Sequence, residues 1–101
     1  MNIQQLRYVV AIANSGTFRE AASKLFVSQP SLSVAIKDLE QELNFQIFTR
    51  TTTGAVLTSQ GMTFYERALE VVRSFDSFEN RYLNASEKGN QFSIASQPYD
   101  F

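Results

Sequence analysis

Cysteine and histidine are both missing from this chain of 101 residues. Without cysteine there are no disulfides and no thiolate chemistry. Without histidine the commonest general base and the usual zinc ligand are gone, so a histidine-dependent triad or a Cys/His metal site is excluded within the chain. No apolar run approaches the roughly 18 residues of a membrane span. The N-terminus lacks a positive region followed by an apolar core, so the expected location is the cytoplasm and no membrane partner is expected. A strong positive charge is missing too. Net charge is −1, whereas nucleic-acid-binding domains are usually basic. The balance is uneven: residues 1–58 carry five basic and four acidic side chains, residues 59–101 four and six. No catalytic constellation is visible, and the chain does not read as an enzyme.

What is present is helical patterning with clear caps. Ile3, Leu6, Val10 and Ala13 recur at helical spacing, and Asn2 followed by Gln5 resembles a capping box. Asn14-Ser15-Gly16 stops this helix, with Gly16 suited to a left-handed position. Thr17 and Glu20 form a second T-x-x-E start, Ala21 and Ala22 allow close helix approach, and Phe26 and Val27 are expected to fill a short turn. Ser28 then caps a third helix with Pro30 in its first turn, where a missing N–H costs nothing. Leu32, Ile36, Leu39 and Leu43 form its apolar stripe. The opposite face carries Gln29, Ser33, Val34, Lys37 and Gln41, and Asn44 ends the helix. Two helices joined so tightly hold the second one out from the body, the arrangement of a helix-turn-helix.

Ile47 to Arg50 and Ala55 to Thr58 read as short strands around the turn Thr51-Thr52-Thr53-Gly54, with Gly54 expected to supply positive φ. A hairpin in this place is a wing. Thr58 or Ser59 caps a long fourth helix reaching to about Ser86. Its aromatic and aliphatic stripe is Tyr65, Ala68, Val72, Phe75, Phe78 and Tyr82, best read as a face for a partner helix. Lys88-Gly89-Asn90 breaks the pattern, and Gln91 to Ser96 alternates like a strand with no partner left in the chain. The expected fold is mainly α: a winged helix-turn-helix of three helices and a two-stranded wing over 1–58, a linker and dimerisation helix over 59–87, and over 88–101 a hinge and the opening of a truncated further domain.

The third helix and wing supply the candidate nucleic-acid contacts. Gln29 can pair with adenine N6 and N7, Ser31 and Ser33 can donate or accept, and Lys37 can reach guanine or phosphate. Val34 is an apolar group on that face, placed to touch a thymine methyl or simply tolerated there. Arg50, Thr52 and Thr53 can meet phosphate or the minor groove, although hydroxyls release no counterions. The plain alternative is a solvated helix face and an ordinary polar hairpin.

Three segments carry a family resemblance: LRYVVAIANSGTFREAASKL, then VSQPSLSVAIKDLEQELNFQIFTR, then GAVLTSQG. The S-Q-P-x-L-S step after A-A-x-x-L, F-x-R before the wing and L-T-x-x-G after it are specific. Leu6 to Gln60 resembles the N-terminal winged helix-turn-helix of LysR-type bacterial transcriptional regulators. The resemblance implies a longer full-length protein whose C-terminal domain, similar to periplasmic binding proteins, senses a small-molecule effector of unknown identity. The fragment itself is expected to hold no cofactor or metal. The partners implied are double-stranded DNA and a second copy of the chain, paired through antiparallel long helices, with dimers joining into tetramers. Family contacts carried across fall on Gln29, Pro30, Ser31, Ser33, Lys37 and Arg50. QFSIASQPYDF resembles the first effector-domain strand and following loop, which places Ser96 and Gln97 at the ligand cleft of the full-length protein. The chain departs from the family at Val34, often arginine or another polar residue there, and at Thr52 and Thr53, where a basic wing residue is common. Both departures remove positive charge and shift the expected burden onto the third helix and a second copy. Two other readings stay open: a small dimeric winged-helix repressor with no effector domain, and a winged-helix protein–protein module using its aromatic helix.

Overall fold

In the computed structural model, residues 1–84 are described; the expected strand from Gln91, the hinge, and Ser96 and Gln97 lie outside them. The chain forms α1 (Ile3–Ser15), α2 (Phe18–Leu25), α3 (Gln29–Leu43), β1 (Phe48–Arg50), β2 (Ala55–Leu57) and α4 (Ser59–Glu79), which runs on into a π-helical turn over Asn80–Asn84. This is a winged helix-turn-helix followed by a long helix.

Each helix starts where a short polar side chain meets orphan amides. Asn2 and Gln5 form a reciprocal capping box on α1. Thr17 Oγ1 accepts from the Glu20 amide at 3.0 Å, and Ser28 Oγ from the Ser31 amide at 3.1 Å. At α4 the cap is Thr58, which accepts from Gly61 N at 2.9 Å. β2 ends at Leu57, one residue earlier than expected: Thr58 keeps an extended backbone but serves as the cap of α4. The Thr58 hydroxyl also donates to the Gln46 carbonyl at 2.6 Å, fastening the start of α4 to the chain entering β1.

The core joins Val9 and Ile12 of α1, Phe18, Ala21 and Ala22 of α2, Leu32, Ile36 and Leu39 of α3, and Ile47 and Phe48 at the wing. Here α1 departs from the expected single face. Val9 and Ile12 are fully buried towards α2 and α3, while Leu6 packs with Ala68 and Val72 of α4, flanked by Ile3 and Val10. Helix α1 lies between two neighbours and therefore needs apolar groups on two sides. Leu43 is only partly buried. Phe26 does not fill the turn: it takes a left-handed φ of 60° and is 95% exposed, leaving Val27 to pack against the core.

The wing is a two-stranded antiparallel hairpin with Phe48 opposite Leu57 and Arg50 opposite Ala55. Ile47 stays outside the ladder, buried, with its carbonyl accepting from Thr58 N at 2.9 Å. Glycine at position 54 is needed for a different reason from the one expected. Among the described residues Gly16 is the glycine with positive φ, at 88°. A Cβ on Gly54 would overlap the Gly16 carbonyl oxygen, which also accepts from the next amide, Ala55 N, at 2.8 Å. The wing is thus pinned to the α1–α2 turn by a close backbone approach.

Candidate nucleic-acid interface

The N-terminal half of α3 presents Gln29, Pro30, Ser31, Val34 and Lys37 to solvent, with Ser33 half-buried. Val34 is 59% exposed, so this face carries one open apolar contact among polar ones. Pro30 sits in the first turn, where its ring is compatible with the helix and no donor is lost. Ser31 is partly occupied locally: its amide donates to Ser28 Oγ, and the Ser28 hydroxyl donates to Ser31 Oγ at 2.8 Å.

The wing does not stand apart from this face. Arg50 leaves β1 and turns back, its Nη2 donating to Ser33 Oγ at 2.6 Å. Its guanidinium carbon lies 3.7 Å from the centre of the Phe18 ring, within cation–π range. Phe18 is buried and edge-on to Phe48 at 5.8 Å, so the platform under the guanidinium is part of the core. Thr17, Phe18, Arg19, Gln29, Arg50 and the wing tip, including Thr52 and Thr53, line one hollow. The structure therefore brings Gln29, Ser33, Arg50 and the wing threonines together, with Arg19 beside them.

Two supporting residues escaped the sequence reading. Phe18 had no assigned role in the sequence pattern, and its place under Arg50 depends on a contact 32 positions away. Glu40 counted only as an acidic charge. In the fold its Oε2 accepts from the Ile47 amide at 2.8 Å and the Phe48 amide at 3.2 Å, holding the wing's root to α3. No local pattern marks this role, because both donors come from beyond the end of its helix.

The candidate dimerisation stripe divides. Ala68 and Val72 are buried within the protomer against Leu6, and Tyr65 is half-buried, its hydroxyl donating to Asn14 Oδ1 at 3.0 Å. These three face α1, and Ala68 and Val72 are not on an open surface. Phe78 and Tyr82 stand exposed at 61% and 59%, Phe75 is partly covered by Arg7, Val71 lines the same open apolar face as Phe75 and Phe78, and Leu83 is exposed near the end of the helix. Arg7 also binds Asp76 at 2.7 Å. The hydrogen bond from Arg7 holds the Asp76 carboxyl below its ordinary value, and the same bond raises Arg7 above its own. Among the described residues no cluster of carboxylates could hold a metal ion, and no helix is long and apolar enough to cross a membrane.

Residues 3–62 match the family described as bacterial regulatory helix-turn-helix proteins of the lysR family, and the chain belongs to that family. It is 43% identical over 77 residues to the HTH-type transcriptional regulator BudR of Klebsiella aerogenes, covering 76% of this chain and 54% of that one. It spans 20% to 32% of three other curated relatives, so it corresponds to one part of most of them. In structure it is similar to the CbnR DNA-binding domain in its DNA complex, with a TM-score of 0.76 at 32% identity, covering 84% of this chain and 98% of that one. It is also similar to the BenM DNA-binding domain bound to benA site 1 DNA, with a TM-score of 0.77 at 33% identity and coverage of 84% and 99%.

Proposed function

We propose that this chain is the DNA-reading end of a longer transcriptional regulator that binds double-stranded DNA as a homodimer. In this reading α3 of each copy enters the major groove of one half-site. The pairing of two α4 helices sets the half-site separation, so the operator is an interrupted inverted repeat. The observation that carries the reading is the pair of hollows that meet at Arg50, one lined by Gln29 and the wing threonines and the other by Ser33 and Lys37, on a fold that matches two domains solved on DNA.

Gln29 and Ser33 are assigned to base edges, Val34 to a methyl contact, and Lys37, Thr52 and Thr53 to phosphate or a neighbouring edge. Pro30 and Ser31 shape the first turn of α3 and reach the backbone. Phe75, Phe78 and Tyr82, with Val71, form the partner-facing part of α4. Tyr65, Ala68 and Val72 set the angle at which α4 leaves the reading head. The near-neutral charge makes two linked copies necessary, because one copy neutralises few phosphates. In the whole protein, residues 88–101 lead into an effector domain for a small molecule, with Ser96 and Gln97 at its cleft, and dimers assemble into tetramers.

Selection from a pool of random duplexes with the full-length regulator tests this. The expected product is an enriched inverted repeat whose binding weakens steeply with added salt. Absence of any enriched sequence overturns the proposal and favours a protein-binding winged helix.

A further inference from the structure

We infer that Arg50 is a positioning residue that sets the hydrogen-bond polarity of Ser33, making Ser33 a donor to the base it faces. The inference rests on the proposal that α3 reads DNA. It deepens that proposal by naming the base edges that one side chain selects.

A serine hydroxyl has one hydrogen and two lone pairs, and free in water it donates or accepts with equal ease. An arginine has donors only. The 2.6 Å contact from Arg50 Nη2 therefore has one possible direction, with Ser33 Oγ accepting. The hydroxyl hydrogen is left for another acceptor. The adjoining positive charge strengthens the O–H as a donor and weakens the remaining lone pair.

This bias requires the guanidinium to stay in place, and three features hold it. The planar group stacks 3.7 Å over the Phe18 ring. Phe18 is buried and braced by Phe48. The Arg50 backbone is paired with Ala55 in a wing whose root is bonded to Glu40. The ion pairs among the described residues involve Met1 with Glu42, Arg7 with Asp76 and Arg67 with Glu70, so the Arg50 charge is left undiverted. A donor-biased Ser33 favours guanine O6 or N7, adenine N7 and thymine O4, and disfavours the cytosine N4 amino group.

The test is a double-mutant cycle in the full-length regulator on its selected operator, with all four bases placed in turn at the position Ser33 faces. Ser33→Ala is expected to reduce discrimination against cytosine there by about fivefold, the scale of one hydrogen bond. Arg50→Ala is expected to remove the same discrimination, and the double variant to remove no more than either alone. Phe18→Leu, which takes away the ring under the guanidinium, is expected to shift the preference in the same direction. Neither Ser33 nor Arg50 is a core residue, so the cycle stands even where Phe18→Leu fails to fold. Arg50→Ala that weakens all four sequences equally, or effects of the two single variants that simply add, overturns the inference and makes Arg50 a plain phosphate contact. A wild-type regulator that selects a site, with Ser33→Ala leaving its preferences unchanged, also overturns it. A wild-type regulator that selects no site sinks the DNA-reading proposal itself.

Discussion

Arg7 and Asp76, 69 positions apart, meet at 2.7 Å and join the first helix to the far part of the fourth. The bond lies beyond Ala68 and Val72, which pack on Leu6, so α4 is held to α1 at two heights along its own length. The reading head and the exposed end of α4 are in this way linked by one stiff connection. Two α4 helices can set a half-site spacing only if each has a fixed angle to its own α3.

The depressed Asp76 carboxyl gives this link a pH dependence. Its contribution is fully present above the ordinary carboxyl value of 3.8 and is lost as pH falls through the lower folded value. Thermal melts of the wild type and Asp76→Asn, taken from neutral pH to well below 3.8, should show a gap that narrows as acid is added. Because Asp76 is exposed to water the gap should be small. A gap that does not change with pH would contradict the account.

Gly61 lies in the first turn of α4, and a Cβ there would overlap the Ile47 carbonyl oxygen. Alanine is the better helix former, yet Gly61→Ala should destabilise the fold by about 1–3 kcal/mol because the obstacle is backbone and cannot step aside. Urea unfolding measures this directly. A stabilised variant would show that α4 and the β1 root can separate without cost.

Phe26 should behave in the opposite sense. Its left-handed backbone costs an L-residue roughly 1–2 kcal/mol, and its ring, 95% exposed, has almost no packing to lose. Phe26→Gly should therefore raise stability, by up to about 1 kcal/mol once the extra chain entropy of glycine is counted. A lower melting temperature would mean that the ring supports the turn after all.

On α4, Phe78→Glu should convert dimer to monomer in sedimentation measurements and leave the melting temperature of the protomer nearly unchanged, since the side chain is 61% exposed. Ala68→Glu should instead unfold the α1–α4 contact, because that position is buried within one copy. Equal effects from the two substitutions would erase the distinction between the halves of the stripe.

The features visible in the sequence are those whose causes are local. Asn2, Thr17, Ser28 and Thr58 each cap a helix from within three residues, and the left-handed stops at Gly16 and Asn44 follow from residue type. Apolar spacing located the α3 stripe for the same reason. It did not separate Val9 and Ile12 from Val10 and Ala13, because α1 packs on two sides and a period of 3.6 marks an apolar face without counting the neighbours it meets. The split of the α4 stripe between Val72 and Phe75 has the same origin: it depends on where α1 ends alongside it. Gly54 was recognised as a necessary glycine, but the carbonyl that makes it necessary belongs to Gly16. The Phe18–Arg50–Ser33 arrangement was legible only as separate letters, since three elements must fold before the ring, the charge and the hydroxyl meet.

The most direct test of the central claim is the base-resolved affinity of Gln29→Ala in the full-length regulator, measured on the selected operator and on its single-base variants. Gln29 is exposed in the first turn of α3 and lines the hollow shared with Arg50 and the wing. The expected result is a loss of roughly 1–3 kcal/mol with relaxed preference at one base position and an unchanged melting temperature. Unchanged affinity and unchanged preference at every position would contradict α3 as the reading helix.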